Sequence, residues 1–214
     1  IKMMHSKSAL TRFANSHIHQ NVDEESAEVY LTIHKDNKTT TVSSNITAIK
    51  DVKEFIKKAE KSINNSPIDK GWAGLADKNN SYIETKNFQE STPEERAIKV
   101  KEFISKGNEL NSAGYCSTSI SKYFAWNTNG LNSSDSSSSA FIDGIFRTEN
   151  SAGSSHRGAQ SLDQLDSETA GSEASKLARD GQNPEDINPG KYEVILGNEA
   201  VSTILVFLAV YGFN

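Results

Sequence analysis

The sequence has one cysteine, four prolines and two methionines among 214 residues. A lone Cys116 excludes an internal disulfide framework and any cysteine-built zinc site within the chain, and it suits a reducing cytoplasm. The longest apolar run, residues 201–210 (VSTILVFLAV), falls short of the roughly 18 residues a spanning helix needs and reads as a buried helix. No membrane association is expected. Residues 1–5 lead into polar residues instead of an apolar signal core, so no secretory leader is expected either. Excess positive charge is also missing: 23 Lys and Arg stand against 28 Asp and Glu, a net charge of −5. A polyanion is bound by releasing its counterions to clustered cations, so no direct nucleic-acid partner is expected.

What is present is a polar chain with enough apolar residues, 35%, for one domain or one domain and part of a second. Only residues 133–139 (SSDSSSS) are strongly biased in composition. The chain opens without Met and stops just after an apolar helix, as a fragment of a longer protein would. Residues 1–47 alternate as a three-stranded meander with a turn at Asp36, Asn37 and Lys38. A helical period follows over residues 47–63, and Pro67 closes it. Residues 66–91 read as a polar surface connection anchored by Trp72 and Leu75. Ser91, Thr92, Pro93, Glu94 and Glu95 then open a second helix, running to about Asn111, with a hydroxyl cap, proline in the first turn and acids suited to the helix dipole.

Residues 112–126 return to a period of two. Asn129 and Gly130 signal a tight hairpin, and residues 137–148 supply the partner strand. In that reading the serine run begins a strand and is not a linker. Residues 149–166 read as a polar loop, residues 167–181 as a helix, residues 191–196 (KYEVIL) as a strand and residues 199–211 as an apolar helix. The expected fold class is α+β, a mixed, largely antiparallel sheet with packing helices.

Chemistry-bearing candidates are few. His17 and His19, at i and i+2, project from one face of a strand as some metal sites require, but no third ligand is local; His5, His34 or an acid would have to complete it. Two hydrogen-bonded strand histidines are the plainer reading. With Arg12, Asn15 and Asn21 they make a polar strip able to hold a partner strand or peptide. Cys116 has no adjacent histidine and reads as an inert thiol. His156 and Arg157 fall in the expected loop, where they could contact an anion. The chain contains no Gly-x-Ser-x-Gly elbow, phosphate-binding glycine loop, His-Glu-x-x-His pair or calcium loop.

Four segments in order resemble the TldD/PmbA family, also called the modulator of DNA gyrase or microcin-processing family: residues 12–21 (RFANSHIHQN), 112–115 (SAGY), 127–131 (NTNGL) and 188–201 (NPGKYEVILGNEAV). The resemblance spans nearly the whole chain. It implies an N-terminal α/β domain over residues 1–188, then over residues 189–214 the first strand and helix of a β-rich C-terminal domain. It further implies a homodimer, or a heterodimer with a TldD-like catalytic subunit. That subunit resembles a zinc peptidase acting on unfolded or modified peptides, with a His-Glu-x-x-x-His helix after the Pro-Gly strand.

Set against that pattern without gaps, this chain places Val206, Phe207 and Tyr211 where His, Glu and His belong, and no histidine follows His156. It is therefore most similar to the non-catalytic PmbA (TldE-like) branch. The implied function is a subunit that helps hold a peptide while zinc sits only in its partner, with no metal ligand and no catalytic residue in this chain. Two alternatives stand beside it: a self-sufficient metallopeptidase whose ligands lie beyond Asn214, joined by His17 and His19, or a non-enzymatic peptide-binding or assembly module.

Overall fold

The structure is a computed structural model describing residues 1–45, 49–78 and 88–213. Among these residues the order is β1 (Lys2–Ala14), β2 (His17–Lys35), β3 (Lys38–Ser44), α1 (Ile49–Asn64), α2 (Pro93–Ser105), β4 (Asn111–Trp126), β5 (Asn132–Arg147), β6 (Ala152–Ala159), α3 (Ser167–Asp180) and α4 (Asn198–Gly212). The six strands make one antiparallel sheet, ordered β3-β2-β1-β4-β5-β6. The fold class is α+β, as expected. By contact the chain divides into residues 1–183 and residues 184–214. No helix among the described residues is long and apolar enough to cross a membrane.

Local chemistry sets most of these elements. Asn15 and Ser16 (φ 49° and 60°) and Asp36 and Asn37 (φ 51° and 56°) are left-handed pairs that close two hairpins, the geometry whose twist matches the flanking strands. Gly130 (φ 90°) closes the turn between β4 and β5. At the start of α2, the Glu95 amide donates to Thr92 Oγ1 (3.2 Å) while Glu95 Oε2 accepts from the Thr92 amide (2.8 Å), a reciprocal cap with Pro93 in the first turn. The helix ends at Ser105 and not near Asn111, because Asn108 and Glu109 turn left-handed (φ 44° and 75°) and feed the chain into β4.

The helices of residues 1–183 cover one face of the sheet. Phe55, Ala59 and Ile63 of α1 are buried at helical spacing, the first two against Leu31 of β2. Beneath α2 and α3, Phe13, Cys116, Ala140, Ile142 and Phe146 form the main core with Val100 and Phe103. The Phe103 ring stacks on Phe146 at 5.1 Å and tilts against Phe13 at 5.6 Å, contacts worth about 0.5–1.5 kcal/mol beyond the burial itself. Among the described residues of this unit no helix covers the opposite face, where Tyr115 and Phe141 are 39% and 45% exposed.

Residues 149–166 contain β6 instead of being wholly loop. Its inward positions are Gly153, Ser155 and Arg157, so no apolar alternation marks it. The cause lies in α3, whose Ala170, Ala174 and Ala178 are fully buried. A Cβ on Gly153 would meet Ala178 N at 2.3 Å and Ala174 O at 2.4 Å. Residues 191–196 form no strand: a strand needs a partner for its ladder, and here the residues carry no pairing and are exposed. Of the connection over residues 66–91, residues 79–87 lie outside the described residues, as do residues 47 and 48 at the expected start of α1. Within the remainder, Trp72 stacks on His34 at 4.6 Å and Ala76 O accepts from Asn127 Nδ2 at 2.8 Å.

Gly153→Ala is expected to cost about 1–3 kcal/mol, because helix backbone cannot yield as a flexible side chain would. Urea unfolding measures it, and an unchanged midpoint would contradict this packing.

Candidate functional site

The strip from Arg12 to Asn21 does not lie on one surface. Arg12 pairs with Gln20 but Phe13 pairs with Ile18, so His19 is the extra residue of a bulge. Arg12 and Gln20 share the open face, with Arg12 Nη1 donating to Gln20 Oε1 at 3.3 Å. Asn15 sits in the turn, where its carbonyl meets His17 Nδ1 at 2.7 Å. Asn21 belongs to the helix side, accepting from Thr11 Oγ1 at 2.6 Å. The structure thus brings Arg12 and Gln20 together and sends Asn21 to the other face.

Asn21 leads to a group the sequence reading passed over. Arg96 of α2 is fully buried. Its Nε donates to Thr11 Oγ1 (3.1 Å), its Nη1 to the Ser91 carbonyl (2.9 Å) and Ser91 Oγ (3.1 Å), and its Nη2 to Asp23 Oδ1 (3.2 Å). Asp23 is 63% exposed on its side chain, so screening leaves the ion pair itself weak and the neutral acceptors carry more of the interaction. One guanidinium thereby ties the first turn of α2 to β1 and β2.

Beside it lies a cleft of about 630 Å³ between α2 and the strands, floored by Lys7, Ala9, Thr118 and Ile120. Seven carboxylates and two lysines line it. Lys7 meets Glu90 at 2.7 Å and Glu25 at 4.0 Å, and the hydrogen bond to Glu90, followed by the charge of Glu25, holds its pKa above the ordinary lysine value. Lys99 meets Glu102 at 3.1 Å. Two hydroxyl pairs on its walls, Ser91 with Thr118 at 2.7 Å and Ser119 with Ser139 at 2.9 Å, have no histidine among the lining residues. The cleft sets its carboxylates beside apolar lining residues such as Phe88, Ile98 and Ile120, and among the described residues it holds no nucleophile and base in register.

The remaining candidates are dispersed. Cys116 is fully buried, and desolvation pushes its thiol up to about 12, so it holds its proton at neutral pH. His5 meets Glu25 at 2.7 Å and His34 meets Thr39 at 2.9 Å. His156 and Arg157 lie on β6, with Arg157 bound to Glu173 of α3. Among the described residues no three His, Cys, Asp or Glu side chains converge on a metal-sized site.

With this geometry in view, comparison with known proteins gives one kind of match. No family model and no curated protein matches the sequence. Solved structures do. A candidate modulator of a DNA gyrase from Thermotoga maritima is 19% identical with TM-score 0.69, over 88% of this chain and 45% of its own. TldE from Thermococcus kodakarensis is 15% identical with TM-score 0.67, over 83% and 43%. A candidate modulator of DNA gyrase from Bacteroides thetaiotaomicron is 14% identical with TM-score 0.65, over 89% and 47%. The chain has the fold of these proteins. Identities this low carry the fold alone, and the chain spans less than half the length of each.

Within residues 184–214, α4 is the helix onto which the family resemblance maps a metal motif. Val206, Phe207 and Tyr211 stand there 60%, 58% and 78% exposed, the two rings stacked at 6.0 Å. Valine and phenylalanine offer no lone pair to a metal, and one phenol is no ligand set, so these residues do not fit zinc.

Two measurements check this account. Arg96→Lys keeps the charge but not the planar fork and is expected to cost about 1–3 kcal/mol in urea unfolding; an unchanged midpoint would contradict the strut. Cys116 is expected to stay unmodified by a disulfide reagent in the native protein and to react on unfolding, and rapid native labelling at pH 7 would contradict its burial.

Proposed function

We propose that this chain belongs to a PmbA/TldE-like subunit of a TldD/PmbA-type peptidase complex in the cytoplasm. In this reading it pairs with a TldD-like catalytic subunit and helps hold an extended, unfolded or modified peptide, while the zinc and the hydrolytic chemistry reside in the partner. The observation that carries the reading is α4. In a fold shared with TldE and with candidate gyrase modulators, the helix matched to the metal motif presents Val206, Phe207 and Tyr211. Those side chains can pack against protein but do not make a zinc ligand set. Direct contact with DNA has no place in the reading, given the net charge of −5.

Co-expression of the full-length protein with a TldD-like subunit is expected to give a stable complex. Peptidase activity should appear only in the pair, a chelator should abolish it, and the zinc should remain with the partner after separation. Chelator-sensitive peptidase activity of the full-length protein alone, with stoichiometric zinc, would overturn the proposal in favour of a self-sufficient metallopeptidase.

A further inference from the structure

On the open face of the sheet, one cross-strand row gathers ionisable groups that the core and the cleft do not use. Gln20, Arg12, Tyr115, Asp143 and His156 are successive register partners on β2, β1, β4, β5 and β6. Their chain neighbours Thr11, Cys116 and Ile142 are fully buried beneath the helices, so alternation turns the row outward. Arg12, Tyr115 and His156 are exposed and Asp143 is half-buried.

The rows on either side are largely apolar. Two residues along each strand, Val22, Leu10, Ser117 and Phe141 are partners, with the Phe141 ring lying over Gly158. In the opposite direction Ala113 pairs with Ile145, and Ala14 lies at the end of β1. A polar track therefore crosses the strands between two apolar shoulders.

We propose that this track is a binding site for a short extended peptide with free termini, laid across the strands. Its carboxylate meets Arg12 and the Tyr115 hydroxyl, and its ammonium meets Asp143. The charge order fits such a zwitterion, and so does the length. Arg12 and Asp143 are two strands apart, about 10 Å, and three extended residues span about 10 Å. Successive side chains of an extended peptide point to opposite sides, so they fall alternately on the Leu10–Phe141 shoulder and the Ala113–Ile145 shoulder. Arg12 supplies two parallel donors, the arrangement that best matches a carboxylate.

The inference rests on the peptide-holding role proposed above and names the surface that performs it. Calorimetric titration of the full chain with the tripeptide Leu-Ala-Phe, its N-acetyl form and its C-amide form tests it. Each cap is expected to weaken binding about fivefold, the upper range for one exposed ion pair. Arg12→Gln should erase the discrimination between free and amidated carboxyl ends, and Asp143→Asn that between free and acetylated amino ends. Both variants should keep the urea midpoint of the parent.

Equal affinity for capped and free peptide, no binding of the tripeptide, or variants that bind like the parent would overturn the site. So would a dimer, seen by sedimentation without peptide, that Arg12→Gln converts to monomer, since the face would then serve a second copy. Failure of these titrations leaves pairing with a TldD-like subunit standing, and failure of that pairing leaves the track standing.

Discussion

The buried guanidinium of Arg96 is the constraint on which the arrangement of α2 over the sheet depends. A permanent charge with no exposed surface is tolerated only when its donors are met, and here they are met from three directions. Thr11 accepts from the floor, Ser91 from the segment before the helix and Asp23 from the neighbouring strand. Thr11 is committed twice, accepting from Arg96 and donating to Asn21. The start of α2 is thus fixed over β1, and the Thr92 and Glu95 cap sits one turn from that anchor. With α2 placed, Phe103 reaches Phe13 and Phe146, and α3 closes on α2 and β6 through alanines and glycines.

This division of labour gives the sheet two unlike faces. The helix side is filled by aromatic rings, small helix residues and one polar strut, and its ionisable groups are either satisfied structurally or spread around an acidic cleft. The other side sets Arg12, Tyr115, Asp143 and His156 in one cross-strand row. Adjacent residues therefore serve different ends: Thr11 holds the fold, and Arg12 faces outward.

The parts of this arrangement legible in the sequence are those fixed by local chemistry. Asp36 and Asn37, Asn129 and Gly130, and Thr92 with Pro93 act through their own backbone preferences, so each marks its turn or cap without knowledge of the fold. The strand character of the serine run was legible as well, because Phe141, Ile142, Ile145 and Phe146 follow it directly. What escaped depends on contacts distant in sequence. β6 reads as a loop because α3 presses so close at Gly153 that no side chain fits there, and its other inward positions are Ser155 and Arg157, so no apolar alternation marks the strand. Residues 191–196 have a strand's composition but no partner to pair with. Arg96 looks like an ordinary solvated helix residue, and only the convergence of β1, β2 and α2 shows otherwise. The bulge at His19 likewise splits a strip that alternation alone would keep together, and the cleft is built from segments no motif connects.

The most direct test of the two-faced account compares the neighbours Thr11 and Arg12 in one pair of assays, urea unfolding and peptide titration. Thr11→Val leaves Arg96 and Asn21 without their shared hydroxyl, so it should lower stability by about 1–3 kcal/mol and leave peptide affinity unchanged. Arg12→Gln should weaken peptide binding and leave the unfolding midpoint where it was. If instead both substitutions move the same quantity, the separation of a structural face from a binding face is contradicted.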